Sequence, residues 1–198
     1  MKSVLISIQP KWCGLIASGK KTVEVRKTKP KLKTPFKVYI YCTNNKDMLW
    51  ILKESERESR RKIASIFTAK DVGGATKANG KVIGEFVCDE IKDCREVFIA
   101  PTCLTTDEWL KYTDGYKRKV WGWHISDLVI YDKPRELGEF SRKCEKTPCE
   151  GCEHLKYQGV NSAEYDYDCE FLGNRIPITR PPQSWCYVES EDKKRKSE

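Results

Sequence analysis

The chain has 198 residues, 39% hydrophobic and 33% charged, with six Trp, nine Tyr and six Phe. That length suits one domain with a small appendage rather than two full domains, and so much apolar and aromatic material excludes a disordered chain. The formal net charge is +8, and the excess is all N-terminal: residues 1–62 hold 16 Lys and Arg against 5 Asp and Glu.

A one-sided positive field concentrates polyanions, of which nucleic acid is the commonest inside a cell; a solubilising lysine face is the other reading, and the one that charge alone slightly favours. No run reaches the roughly 18 apolar residues of a membrane span. The apolar opening is broken by Gln9 and Pro10 before signal-peptide length, so the expected protein is soluble and cytoplasmic, with no membrane contact.

Residues 2–8 alternate, with Val4, Ile6 and Ile8 on one face and Leu5 opposite, and are expected as a strand. Pro10 suits the first turn of a short helix over 11–18 that gathers Trp12, Leu15 and Ile16, and Gly19 is its natural stop. Over residues 20–26 the alternation returns: Val23 and Val25 face the core, while Thr22, Glu24 and Arg26 line the other side. A basic, Pro-containing loop over 27–33 leads to a strand over 36–42, with Phe36, Val38 and Ile40 on one face and Tyr39 and Tyr41 on the other.

Met48, Leu49, Leu52, Ile63 and Ile66 give residues 46–66 a helical pattern in parts. Gly73 to Gly80 is expected as loop or turn, and residues 81–91 as a strand in which Gly84 marks a bulge or a close approach. Thr105-x-x-Glu108 is a capping box opening a short helix through Trp109 and Leu110. Further strands are expected at 120–124, 127–131 and 184–189, and a frayed polar tail at 190–198. No internal repeat is present. Five or six short strands with early and midway helices describe a small mixed β-barrel or α+β domain rather than alternating βαβ units. Residues 143–179 interrupt it as an insertion.

The spacing Gly19-x-Lys21-x-x-Glu24-x-Arg26 resembles the ASCH family of the PUA-like superfamily. The opening LISIQPKW (5–12), VIGEF (82–86), WHISDLVI (123–130) and RPPQSWCYV (180–188) are similar to phage and bacterial members, so the resemblance covers roughly 1–142 and 180–189. It implies a PUA-like β-barrel whose cleft is lined by the motif, and recognition of RNA or a modified nucleotide. The residue chemistry fits that role. Lys21 is a mobile point charge suited to phosphate, and Arg26 a planar fork for phosphate or a base edge. Glu24 either holds the two cations in place or accepts from a base amino group; an ion-pair ladder with no ligand is the plain structural alternative.

Bases stack on exposed rings, and Trp12, Tyr39, Tyr41, Trp123 and Trp185 lie in segments expected to meet near the cleft. Trp12 and Trp185 are the chosen platforms, with Arg180 and Gln183 held by the Pro-Pro turn between them. Some relatives are amidohydrolases acting on acetylated cytidine with a Lys, a Thr and a Glu. Here Glu24 stands where their Thr does, but Lys21 is kept, Thr22 lies on the same strand face and Glu85 offers a second carboxylate. The alternative function is therefore a hydrolase acting on a modified nucleoside or single-stranded RNA. Against it, Thr22 sits about 6.5 Å along the strand from the relatives' nucleophile position. His124 would be the acid or base of a nuclease, with a structural histidine the preferred reading. A third reading, a protein that docks on a host protein, requires a large exposed apolar patch.

Of ten cysteines, Cys13, Cys42, Cys88, Cys94, Cys103 and Cys186 are scattered and expected as small buried hydrophobes. Cys144, Cys149, Cys152 and Cys169 cluster in the insertion, with a spacing that approximates a four-thiolate structural zinc site. His154 is a substitute ligand, and a reduced loop or an oxidised disulfide are the alternatives. An insertion this poor in apolar residues needs something like a metal to order it.

Overall fold

The computed structural model describes residues 2–52, 64–65, 75–94, 100–143 and 175–189. In chain order the elements are β1 (Lys2–Ile8), α1 (Pro10–Ala17), β2 (Val23–Arg26), β3 (Phe36–Cys42), β4 (Trp50–Leu52), β5 (Ala64–Ser65), β6 (Ala75–Lys77), β7 (Val82–Cys88) and β8 (Ile91–Asp93). They continue with α2 (Thr106–Thr113), β9 (Trp121–His124), β10 (Ser126–Arg135), β11 (Ser141–Lys143), β12 (Arg175–Pro177) and β13 (Trp185–Glu189).

Side chains alternate across a strand, and β1 uses both faces. Val4, Ile6 and Ile8 enter the larger apolar cluster while Leu5 enters a second one across the sheet. β3 divides in the same way, Phe36, Val38 and Ile40 joining the first cluster and Tyr39 and Tyr41 the second. These two strands run parallel at the centre of a five-stranded sheet ordered β10-β7-β3-β1-β13, whose other pairings are antiparallel.

A second, three-stranded sheet is ordered β2-β9-β8. Val25 packs there with Cys94, Val120 and the fully buried Trp109 of α2. The Thr105 capping box is formed: Thr105 Oγ1 accepts from the Glu108 N–H at 3.2 Å, and Glu108 Oε2 from the Thr105 N–H at 2.9 Å. α1 stops as expected. Gly19, at φ +72°, donates to Ile16 O at 2.8 Å, and the Lys20 N–H donates to Leu15 O at 2.9 Å, the paired bonds of a Schellman ending. Cys13, Cys42, Cys88 and Cys94 are buried as expected, whereas Cys103 and Cys186 are half-buried. Burial pushes the Cys88 thiol up to about 12, which keeps it protonated and inert.

Several expectations need correcting. The described parts of residues 46–66 hold strands rather than a helix: β4 pairs with both β5 and β6, and β6 occupies residues expected as turn. Two-residue and three-residue pairings are decided by distant partners, which a local periodicity does not register. The strand expected over 81–91 is two strands, parted at Asp89 and Glu90 where Asp89 turns to His124. Among the described residues the strands form four separate sheets, and no pairing closes them into the expected barrel. The architecture is mixed α+β. β11 and β12 pair antiparallel at the root of the insertion, Lys143 opposite Arg175; the four clustered cysteines and His154 lie outside the described residues.

Gly84 is a close approach, as expected. A Cβ there would overlap the Val129 carbonyl oxygen of the neighbouring strand and lie 3.1 Å from Ile130 Cα. Gly84→Ala is therefore expected to lower the unfolding free energy by about 2–3 kcal/mol, because backbone cannot move aside as a side chain does. Gly138 is the control, since a Cβ added there would meet no atom within 4 Å; Gly138→Ala should shift stability by less than about 0.5 kcal/mol. Urea denaturation midpoints check both.

Candidate functional site

Five stretches of chain converge beside β2. They are the end of β1 with Ser7 and Ile8, the start of α1 with Gln9 and Trp12, Lys21 and β2 themselves, one face of α2, and the Pro181-Pro182-Gln183 turn. Together they enclose a cleft of about 720 Å³, within the range of small-molecule and nucleotide sites.

Glu24 lies at its base, buried, with one oxygen 2.9 Å from Arg26 Nη2 and the other 3.4 Å from Lys21 Nζ. Strand alternation puts Glu24 and Arg26 on one face; Lys21 precedes the strand and reaches the carboxylate from three residues back. Both cations are anchored elsewhere as well. Lys21 Nζ donates to Thr102 O at 2.6 Å, and Arg26 Nη2 to Ser7 O at 2.7 Å. Arg26 Nη1 donates to Ser184 Oγ at 3.4 Å, while its buried Nε finds no acceptor among the described residues. With both carboxylate oxygens engaged, Glu24 is placed for the first of its two expected roles, holding the cations.

Trp12 forms a half-buried wall, its ring 4.3 Å from Lys11 Nζ and 5.2 Å from Lys21 Nζ. Lys11 also reaches Glu108 at 2.8 Å, and that contact, with the Thr105 backbone N–H, holds the Glu108 carboxyl below the usual range. Tyr112 also lines the cleft. Its hydroxyl donates to Val25 O at 3.2 Å, and burial raises the phenol above its ordinary value, so it stays neutral. Among lining side chains the cations Lys21, Arg26, Lys27 and Lys111 outnumber the carboxylates Glu24 and Glu108.

The structure thus brings Lys21, Glu24, Arg26, Trp12 and Gln183 into one cleft. It leaves the other candidates outside. Arg180 is exposed and does not line it. Trp185 packs against Trp123 and Tyr187, with ring centroids 6.0 and 5.4 Å apart, and its Nε1–H donates to Thr28 Oγ1 at 3.0 Å. Thr22 is exposed just before β2, which begins one residue later. Glu85 belongs to the five-stranded sheet, where it accepts from Tyr131 Oη at 2.6 Å and pairs with Lys37 at 3.0 Å. His124 also stands away from the cleft, 2.7 Å from Asp89.

Sequence reasoning missed Ser7, Lys27, Glu108, Lys111 and Tyr112. The signal for the last three was present: once Thr105 opens the helix, spacings of three and four residues set Glu108, Lys111 and Tyr112 on one face. Among the described residues no group of three His, Cys, Asp or Glu is placed to hold a metal, and no helix is long and apolar enough to cross a membrane.

The family model of the ASCH domain matches residues 6–169. The chain belongs to the ASCH domain family. Its members are PUA-like domains that generally bind RNA. The match runs on into the cysteine-bearing insertion, which the motif resemblance left outside. Two solved structures from Zymomonas mobilis share the ASCH fold. A mutant ASCH protein is 17% identical with a TM-score of 0.51, covering 97% of this chain and 94% of its own. The ASCH protein itself is also 17% identical with a TM-score of 0.51, covering 96% of this chain and 90% of its own. No curated protein matches the chain.

The central carboxylate generates a stability prediction. Removing its charge takes the shared counter-ion from the buried Lys21 and the half-buried Arg26, so Glu24→Gln should cost about 3–5 kcal/mol. Lys21→Met leaves the Glu24–Arg26 pair intact and should cost clearly less. Thermal or urea unfolding of the two variants ranks them, and equal losses would contradict the assignment of Glu24 as the shared partner.

Proposed function

We propose that this ASCH domain binds RNA or a modified nucleotide in the basic cleft built on Gly19-x-Lys21-x-x-Glu24-x-Arg26. The observation that carries the reading is the charge of the cleft: one buried carboxylate shared by two cations, with Lys27 and Lys111 on the same lining. An anionic, acceptor-rich ligand is what such a lining attracts. Phosphate meets Lys21 and Arg26, a base lies against Trp12, and the Gln183 amide reads a polar edge.

The hydrolase alternative finds less support, since Thr22 and Glu85 lie apart from the cleft. Docking on a protein through a large apolar patch finds none among the described residues, whose exposed large hydrophobic side chains are Tyr116 and Val129.

Fluorescence anisotropy with single-stranded oligoribonucleotides at several salt concentrations tests the proposal. Affinity should fall as salt rises, with a slope of about 0.7 per phosphate neutralised. Arg26→Ala should weaken binding at least about tenfold, the loss of one charge-assisted pair. Salt-independent affinity, or an Arg26→Ala protein that binds as well as the parent, overturns the reading. Turnover of acylated nucleosides or RNA would instead establish the hydrolase.

For the insertion we propose structural zinc on Cys144, Cys149, Cys152 and Cys169. Their spacing supports it, as does the β11–β12 pairing that joins the two ends of the insertion. Elemental analysis of purified protein should find one zinc per chain, lost in Cys149→Ser; a metal-free parent protein would dismiss the site.

A further inference from the structure

We infer that the occupant of the cleft is a single-stranded RNA several nucleotides long, whose chain continues out of the cleft over residues 112–121 and the lysines that face them. This rests on the reading of the cleft as a nucleotide site and extends it to a second, separate surface.

The segment begins at Tyr112 on the cleft wall and ends at Trp121, which stands opposite Arg26 in the β2–β9 register. Residues directly opposite in an antiparallel pair share a face, so Trp121 continues the row that starts with Glu24 and Arg26. Between Tyr112 and Trp121 in sequence, both half-buried, comes Tyr116, 49% exposed. Its display is built into the backbone. Asp114, Gly115 and Tyr116 have φ of 54°, 59° and 68° in succession. Aspartate and glycine tolerate that region, but a bulky aromatic does not adopt it readily.

The turn is fixed nonetheless. The Gly115 N–H donates to Leu110 O at 2.9 Å, the Arg118 N–H to Thr113 O at 2.8 Å, and the Tyr116 N–H to Thr113 Oγ1 at 3.2 Å. A strained residue that exposes a large ring has no packing reason to do so, and such outliers concentrate at binding sites.

Charge follows the rings. Residues 111–121 carry four Lys or Arg and one Asp. From the loop after β2, Lys27 Nζ stands 5.3 Å from the Tyr112 ring centre and Lys29 Nζ 4.0 Å from that of Trp121. Lys119 Nζ lies 4.5 Å from the same indole and 3.1 Å from Asp93. Lys27, Lys29 and Lys111 make no ion pair among the described residues. Rings interleaved with mobile cations are what a single-stranded polynucleotide uses, bases stacking while phosphates meet lysine. A free mononucleotide has only enough phosphate and base for the cleft.

The test compares a uridine monophosphate probe with a ten-residue oligouridylate on the parent protein, on Arg26→Ala, on Tyr116→Ala and on Lys29→Ala/Lys119→Ala. All three altered segment residues are exposed, so the fold should survive, which circular dichroism verifies. The parent is expected to bind the decamer at least about tenfold more tightly than the monophosphate. Tyr116→Ala should weaken the decamer about fivefold or more. The double lysine variant should lower its salt slope by about 1.4, two phosphates at about 0.7 each. Neither change should affect the monophosphate. If decamer and monophosphate bind alike, or if the segment variants bind the decamer as the parent does, the track is overturned while the cleft stands. If Arg26→Ala leaves monophosphate binding unchanged, the cleft reading itself has failed.

Discussion

The cleft depends on one carboxylate out of water with a cation on each side. An isolated ionised Glu24 at that depth would be prohibitive, and so would an unpaired Lys21. Together the three side chains also tie down Thr102 O, Ser7 O and Ser184 Oγ. The group therefore joins β2 to β1, to the turn before α2 and to the turn before β13. Two cations against one carboxylate leave the assembly positive. The charge that makes the cleft attractive to an anion thus comes from the same contacts that hold its walls together.

Placing that group requires a short strand entered at a fixed angle. The Schellman ending of α1 reverses the chain at Gly19 and delivers Lys21 beside the start of β2. Val25 then locks the register by packing on Trp109 and Val120, and the Tyr112 hydroxyl satisfies the Val25 carbonyl. A shift of one residue would send Glu24 into that apolar cluster and Val25 into the cleft, so the correct register is strongly preferred.

What was legible in the sequence was local or strictly periodic. The two faces of β1 and β3, the capping box at Thr105 and the shared face of Glu24 and Arg26 follow from spacings of two or three residues, and the Gly19 stop and the close approach at Gly84 are marked by the glycines themselves, though what crowds Gly84 is the distant strand β10. What was not legible depends on distant pairing. β4, β5 and β6 are held by partners far along the chain, and the helical spacing of the apolar residues around them pointed elsewhere. Whether sheets join into a barrel is likewise decided by edges that no single segment encodes. The same limit divided the aromatics. Trp12 and Trp185 are equivalent as sequence, yet Trp185 is taken by Trp123, Tyr187 and Thr28, and only Trp12 is left beside the cations.

The balance of donors and acceptors in the cleft narrows its chemistry further than its charge does. Ser7 Oγ donates to Pro182 O, the Tyr112 hydroxyl to Val25 O, and both Glu24 oxygens face cations. The Ser7 and Tyr112 hydroxyls and the Glu24 carboxylate are thus committed to holding the structure, whereas lysine, guanidinium and glutamine retain hydrogens to give. A lining of that kind recognises groups that present oxygen lone pairs, and phosphates and base carbonyls are such groups.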